Sequence, residues 1–376
     1  MTRLVLTGGG TGGHIYPALA IAGGVKRRWP QTEILYIGAK GGMESHIVAE
    51  AGYPFRGVTA AGWQGRKITN LAGALIADHK GWREAAALLA VLKPKAVVGT
   101  GGYVCLPVAL AAVQKHIPLY IHEQNAYPGI TNRLISAQAK RVMVSFEEAA
   151  EHFPTFIRKK IMVTGLPVRE SIATADRAEA LAFYGLREDR RTVLVAGGSQ
   201  GAERINRAMI DVIKDIYVRD DVQILYSTGR RDYQQIADEL KRSGIVWETG
   251  GADSSNIRML PYIDRMDLAY AAAHVYVGRA GASTMAEITL NHLPAVLVPY
   301  PYASENHQAF NAASLADKGG AVVLEDQELS GQTLLKALVD LLDDEPRRIT
   351  MAERSSQAAY GRALDNILDV LAEIMD

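Results

Sequence analysis

The chain has 376 residues, too many for one ordinary hydrophobic core and about right for two domains of typical size. Lysine plus arginine equals aspartate plus glutamate at 41 each, so no global field recruits nucleic acid, and any membrane or phosphate affinity must come from local patches. The single cysteine, Cys105, excludes an internal disulfide and fits a reducing compartment, and no window holds the ~20 consecutive apolar residues of a spanning helix, which leaves only peripheral membrane contact.

At the N-terminus one basic residue, Arg3, precedes the short apolar run Leu4-Val5-Leu6, and glycines follow at once. This reads as a first strand, Arg3-Thr7, and not as a signal peptide. The string Thr7-Gly8-Gly9-Gly10-Thr11-Gly12-Gly13-His14 comes next, before a helix-forming stretch from Ala18 to Arg27. Glycines let the backbone approach a ligand, and the following helix offers free N–H groups and a positive dipole end to an anion. The string satisfies G-x-G-x-x-G, but a dinucleotide site needs a carboxylate at the end of the second strand to hold the ribose diol. That strand, Glu33-Gly38, runs into Ala39-Lys40, which demotes nicotinamide binding. A turn that only connects strand to helix is the competing reading.

The stretch from Arg66-Lys67-Ile68 to Lys95 mixes Leu71, Leu75, Ile76 and Trp82 with Lys80, Arg83 and Lys93, a composition suited to an anionic lipid surface. Much of Trp82 to Leu92 also reads as an ordinary crossover helix. After the apolar strand Ala96-Gly99 comes a second glycine turn, Gly99-Thr100-Gly101-Gly102-Tyr103, and after the strand Leu119-His122 the polar string His122-Glu123-Gln124-Asn125. Ligands of open α/β sheets sit beyond the carboxyl ends of the strands, so His14, Tyr103, His122, Glu123 and Asn125 are expected around one mouth. Alternatively His122 and Glu123 only satisfy each other and nearby backbone groups. The first half closes with a strand at Arg141-Val144, and glycine and proline in Val163-Thr164-Gly165-Leu166-Pro167-Val168-Arg169 mark an interdomain junction near Gly165.

Strands in the second half are expected at Thr192-Ala196, Gln223-Ser227, Ile257-Leu260, Val275-Val277 and Ala295-Val298, with helical segments such as Ala202-Ile213 and Tyr233-Ser243 between them. Short β-branched runs alternating with helical period throughout the chain are the pattern of an α/β protein with two doubly wound parallel sheets. Two more glycine turns, Gly197-Gly198-Ser199-Gln200-Gly201 and Gly278-Arg279-Ala280-Gly281-Ala282-Ser283-Thr284, suit a diphosphate. None of these turns ends in Gly-Lys-Ser or Gly-Lys-Thr, which excludes a P-loop. Glu287 lies one helical turn beyond the last of them, placed to accept both hydroxyls of a ribose or merely to face the helix dipole. The loop from Pro299 to Gln308, followed by Asn311, is rich in amides able to read sugar hydroxyls. The final segment, Ile349 to Asp376, carries Leu364, Ile367, Leu368, Leu371 and Ile374 on one helical face, a stripe that has to be buried.

Taken in order, these strings, together with Pro128-Gly129-Ile130-Thr131-Asn132, Pro167-Val168-Arg169 and Gly281-Ala282-Ser283-Thr284-Met285-Ala286-Glu287 through Gln308, closely resemble the MurG family of N-acetylglucosaminyltransferases, within the GT-B superfamily. The resemblance covers nearly the whole chain. It implies two Rossmann-like domains facing across a cleft, residues 1–165 for the acceptor and 166–349 for the donor, with a C-terminal helix at about 350–376 returning to the first. It implies a peripheral enzyme on the cytoplasmic face of the cell membrane, acting in peptidoglycan synthesis and so in cell-wall biogenesis, cell shape and cell division. The implied reaction passes N-acetylglucosamine from UDP-N-acetylglucosamine to the C4 hydroxyl of the muramyl residue in undecaprenyl-pyrophosphoryl-MurNAc-pentapeptide (lipid I), giving lipid II. The implied partners are those two substrates, an anionic membrane surface and other cell-wall synthesis proteins.

By the same resemblance Ile263 reads uracil through its backbone, Glu287 holds the ribose, Arg169 and Ser199 contact the diphosphate, and the amides of Ala282, Ser283, Thr284, Met285 and Ala286 point their dipoles at it. Gln308 and Asn125 read the sugar, Thr11, Gly12 and Gly13 close over the donor, and Gly102 and Tyr103 fall on the acceptor side. The departures are local: Leu166 where Asn is frequent, Cys105 where Ser is common, and His307 in place of a frequent Gln.

A sugar that leaves an α linkage and arrives in a β linkage has inverted, most simply by a single displacement with a base on the acceptor hydroxyl. His14 is the candidate base, since histidine changes charge near neutral pH, and Glu123 is either its rival or the group that orients it. A helix-capping or phosphate-binding His14 is the alternative. No Asp-x-Asp pair is evident, so Arg169, Ser199 and helix N-termini are expected to meet the leaving-group charge without a metal or other cofactor. The other readings are another GT-B transferase or a UDP-sugar epimerase acting on a soluble substrate, a dehydrogenase, and a non-catalytic nucleotide-sugar binder.

Overall fold

The computed structural model of the chain describes residues 2–61, 68–198, 201–249, 255–359 and 361–376; for 68–75, 170 and 304 it describes the backbone alone. The chain divides into two compact units, Met1–Val168 with Tyr360–Asp376, and Arg169–Ala359.

The first unit runs β1 (Arg3–Thr7), α1 (Gly12–Arg28), β2 (Glu33–Ala39), α2 (Glu44–Glu50), β3 (Phe55–Val58), α3 (Ile68–Leu92), β4 (Ala96–Gly99), α4 (Cys105–Gln114), β5 (Leu119–Glu123), α5 (Ile130–Ile135), β6 (Arg141–Val144) and β7 (Ile161–Val163). All seven strands pair in parallel, in the order β3-β2-β1-β4-β5-β6-β7. Successive side chains on a strand face opposite sides, and both sides are covered, so the strands read as unbroken apolar runs. Val5, Ile37, Val97, Ile121 and Val142 bury one face, while Leu4, Leu6, Tyr36, Val98, Tyr120 and Met143 bury the other.

The second unit runs α6 (Glu170–Thr174), α7 (Arg177–Tyr184), β8 (Arg191–Ala196), α8 (Glu203–Ile216), β9 (Val222–Ser227), α9 (Tyr233–Arg242), β10 (Ile257–Leu260), α10 (Met266–Ala272), β11 (Val275–Gly278), α11 (Ala282–Leu290), β12 (Ala295–Leu297), α12 (His307–Asp317), β13 (Ala321–Val323), α13 (Gly331–Leu342) and α14 (Glu345–Gln357). Its six strands are again all parallel, ordered β10-β9-β8-β11-β12-β13. The apolar faces of α8 and α13 cover one side of this sheet, through Ile205, Met209, Val212, Leu334, Leu338 and Leu341.

The last helix, α15 (Ala363–Met375), belongs to the first unit. Its buried Ile367, Leu368, Val370 and Leu371 share a core with Ile15, Ala18, Ile21, Ala22 and Val25 of α1. Gly24 of α1 makes the approach close, since a Cβ there would stand 2.7 Å from Leu364 Cδ1. Arg28 pairs with Asp369 at 2.5 Å and Arg141 with Glu373 at 2.8 Å. Such exposed pairs contribute little, at most about 1 kcal/mol each, so the buried stripe holds the helix.

Three strands, β3, β7 and β13, had no counterpart in the sequence reading, and each is a short strand at the edge of its sheet. The helix expected from Ala18 begins instead at Gly12, inside the glycine turn. The single apolar segment expected over Ile349–Asp376 is two helices in different units, and the whole stripe lies on α15.

Candidate functional site

Each sheet is wound in both directions from a pair of central strands, and the order reverses between β1 and β4 in the first and between β8 and β11 in the second. The loops leaving two such strands go to opposite faces and open a crevice beyond their carboxyl ends. The four glycine turns follow β1, β4, β8 and β11, so each unit carries two of them at its own reversal point.

In the first unit the two turns interlock. Gly9 N donates to Gly101 O at 3.3 Å, and a Cβ on Gly102 would stand 2.0 Å from Gly9 O, with Gly102 at a φ of +83°. Only glycine fits there. The Tyr103 ring lies against Gly10. Below the first turn sits fully buried Glu44, which accepts from Ala39 N at 2.8 Å and faces Gly9 and Gly42, where any Cβ would collide with its carboxylate, and Gly38, where a Cβ would meet its Cγ.

Because α1 starts at Gly12, His14 occupies its first turn, half-exposed, with its backbone carbonyl held by the Thr100 hydroxyl at 2.7 Å. His14 Nδ1 lies 3.0 Å from the Thr100 carbonyl and 3.1 Å from Gln124 Oε1. A carbonyl only accepts, so Nδ1 carries the proton of the neutral ring, and Nε2 keeps a lone pair.

Glu123 does not orient this ring. Its buried carboxylate accepts from Asn125 N at 3.0 Å, Asn125 Nδ2 at 3.2 Å, Gly129 N at 3.1 Å and Asn132 Nδ2 at 2.7 Å, fixing the loop that carries Asn125. Nor do His122 and Glu123 pair. His122 Nε2 donates to Gly165 O at 3.0 Å, and burial lowers the His122 pKa to about 4, so the ring is neutral. The residue that meets His14 is Gln124, which the sequence reading quoted without singling out.

In the second unit α11 begins directly after the turn that follows β11, with Gly281 in extended conformation at its N-cap and the backbone of Ala282 to Ala286 forming its first turns. The N–H groups of Ala282, Ser283 and Thr284 have no helical carbonyl four residues back, which leaves them for an anion, whereas Met285 N already donates to Gly281 O at 2.9 Å. Farther along α11, Glu287 accepts from the Tyr270 hydroxyl at 2.9 Å. Burial raises its pKa above the usual carboxylate value, against the Tyr270 hydrogen bond and the positive charge of Arg169. Arg169, exposed at the head of α6, is thereby placed in the field of Glu287.

Ile263 is buried in the loop between β10 and α10. Gln308, in the first turn of α12, accepts from Tyr300 N at 3.0 Å through Oε1, and Asn311 Nδ2 donates to Ala280 O at 3.1 Å. Arg279 spans the same region, bonded to the carbonyls of Val298 and Pro299 and paired with Asp326 at 2.5 Å. The loops after β11 and β12 are thus braced together. Ser199 lies outside the described residues; on either side of it Gly198 has φ +94°, Gly201 has φ +78°, and Gly201 N donates to Gly198 O at 2.9 Å.

Of the expected membrane patch, Arg66 and Lys67 and the side chains of Ile68, Leu71 and Leu75 also fall outside the described residues. On the rest of α3, Ile76 is 72% exposed, Lys80 and Arg83 are exposed, and Trp82 packs partly on the core. Among the described residues no helix is long and apolar enough to cross a membrane.

Residues 4–144 match the glycosyltransferase family 28 N-terminal domain, and residues 192–367 match the family 28 C-terminal domain. The chain is 44% identical over 373 residues to the UDP-N-acetylglucosamine–N-acetylmuramyl-(pentapeptide) pyrophosphoryl-undecaprenol N-acetylglucosamine transferase of Desulforamulus reducens, covering 99% of each chain. It is 42% identical over 371 residues to the transferase of the same name from Halothermothrix orenii, covering 99% of this chain and 98% of that one. The crystal structure of Acinetobacter baumannii MurG superposes with a TM-score of 0.78 at 27% identity, over 99% of this chain and 100% of the other.

Proposed function

The chain belongs to the family of UDP-N-acetylglucosamine–N-acetylmuramyl-(pentapeptide) pyrophosphoryl-undecaprenol N-acetylglucosamine transferases, within glycosyltransferase family 28, and from that membership we propose how its residues divide the work. The protein is a GT-B N-acetylglucosaminyltransferase that passes N-acetylglucosamine from the UDP sugar to lipid I and forms lipid II. The second unit, Arg169–Ala359, takes the donor. The N-terminal amides of α11 and the turn carrying Ser199 bind the diphosphate with Arg169, Glu287 takes the ribose hydroxyls, the Ile263 backbone reads uracil, and Gln308 presents its amide nitrogen to the sugar. As the glycosidic bond breaks, these amides and Arg169 take up the charge left on UDP.

The first unit takes the acceptor beside Gly102 and Tyr103. Neutral His14, with its proton on Nδ1, receives the C4 hydroxyl proton at Nε2 as the oxygen attacks the anomeric carbon from the face opposite UDP, inverting the configuration. Thr11, Gly12 and Gly13 stand in the same turn, and Asn125 is held for its contact by Glu123. The observation that carries this reading is the pair of oxygens beside His14 Nδ1, from which we infer that this nitrogen holds the proton and Nε2 the lone pair. The exposed side of α3 around Ile76, Lys80 and Arg83 is the part proposed to meet anionic lipid, where the acceptor is anchored.

The test is an assay with UDP-N-acetylglucosamine and a lipid I analogue, following UDP release and disaccharide product together. Equal amounts of both support the transferase. UDP-N-acetylmannosamine formed without acceptor would identify an epimerase instead.

A further inference from the structure

The base is supported from behind by a hydrogen-bonded row whose directions are all determined. His122 Nε2 lies 3.0 Å from the Gly165 carbonyl, so that nitrogen bears the hydrogen and Nδ1 can only accept. Gln124 Nε2 lies 3.0 Å from the His122 carbonyl and 3.1 Å from His122 Nδ1, two acceptors that use both of its hydrogens. A flipped amide would set oxygen against oxygen, so Oε1 has to face His14 Nδ1 at 3.1 Å. Both Gln124 and His122 are at most 1% exposed, where a misdirected amide would leave buried groups unpaired.

From this geometry we propose that Gln124 is a positioning residue for His14: fixed by His122 at one end, its carbonyl oxygen holds the catalytic ring in place and supports the charge that the ring gains with the acceptor proton. The Thr100 carbonyl shares that Nδ1–H but belongs to the backbone. Gln124 is the side chain through which the buried histidine is coupled to the half-exposed one. A hydrogen bond to a cation is stronger than one to a neutral donor, so the contact strengthens as the proton arrives. Other titratable groups at this corner are turned elsewhere: Glu123 to Asn125, Gly129 and Asn132, Glu44 to Ala39 and Gly10, and Tyr103 against Gly10.

This inference rests on His14 being the base, and the experiment separates the two claims. In the full-length protein, with UDP-N-acetylglucosamine and a lipid I analogue, Gln124→Met should lower kcat by about tenfold to a hundredfold with little change in the donor KM. The acid limb of its kcat profile should move to lower pH by about 0.5 unit or more, because the cation loses an acceptor. Gln124→Glu keeps an oxygen toward His14 but sets its second oxygen against the His122 carbonyl, so kcat should stay below the original while the added negative charge moves the limb to higher pH, opposite to Gln124→Met. Nitrogen-15 spectra of the unmodified protein should show the neutral His14 ring protonated at Nδ1. A hydrogen on Nε2 overturns the proposal whether or not the variants fold, as does a folded Gln124→Met with unchanged kcat and limb. If His14→Ala retains turnover and the limb, the assignment of the base itself fails.

Discussion

Replacing Glu287 with Gln should strengthen the fold and weaken the donor site. The carboxylate pays for burial in the native state, which is why its pKa lies above that of an unfolded glutamate. From the unfolded value up to the native one, the native state binds more protons than the unfolded chain, so stability falls as pH rises through that window and the cost is complete above it. A neutral amide of the same shape avoids this cost while its oxygen still takes the Tyr270 hydroxyl. Ribose binding moves the other way. Charge-assisted hydrogen bonds are worth about 1.5–3 kcal/mol and neutral ones about 0.5–1.5, so the exchange should cost roughly 1–3 kcal/mol, a rise in the Kd for UDP of about 5- to 150-fold. Titration calorimetry with UDP measures the second effect. Thermal melts of the ligand-free protein at pH 7.5 and pH 4 measure the first, with the variant the more stable at pH 7.5 and the difference closing at pH 4. Wild-type affinity for UDP in Glu287→Gln would refute the ribose role, and a lower melting point at pH 7.5 would refute the dominance of desolvation.

His14→Ala should cut kcat by about 10²–10⁴ while leaving the donor KM near its original value; a fall under tenfold in a steady-state assay would remove His14 as base. Gly102→Ala forces a Cβ to 2.0 Å from a carbonyl oxygen at a φ of +83°, and should lower stability by at least about 2 kcal/mol in denaturant titration. His274 has its pKa lowered to about 4 by burial and by Arg177, Arg348 and Arg191. Its native ring therefore stays neutral while the unfolded one protonates, and stability is lost as pH falls from about 6.5 to 4, by about 3 kcal/mol at the end. In His274→Asn the amide oxygen can still accept from Thr192 N, and the urea midpoint should fall less over that range. Charge reversal at Lys80 and Arg83 should reduce flotation with anionic vesicles, and unchanged flotation would dissociate α3 from the membrane.

The central strands were legible because parallel strands buried on both faces have to be apolar throughout, as in Leu4-Val5-Leu6 and Ile34-Leu35-Tyr36-Ile37. Phe55–Val58, Ile161–Val163 and Ala321–Val323 pair on one side only and are three or four residues long, too short to show a period. The start of α1 was hidden because glycines and Pro17 are poor helix formers, and the tertiary contacts of Thr100 and Gly101 with His14 outweigh that propensity. The glycine turns announced themselves by composition. Which of Glu123 and Gln124 faces His14 did not, because adjacent residues at a strand's end diverge, and only the register of β5 beside β4 decides which one looks toward α1. Tyr270 was invisible for a similar reason: nothing local links it to Glu287, 17 residues away on the next helix.

The return of α15 to the first unit makes the second an insertion within it. During synthesis on the ribosome, Ile15, Ile21 and Val25 emerge before the second unit, while the residues of α15 that cover them follow it. Nascent chains therefore carry an uncapped apolar surface through the making of the entire donor unit, a state exposed to aggregation. Loss of α15 should accordingly damage the half of the protein farthest away in sequence.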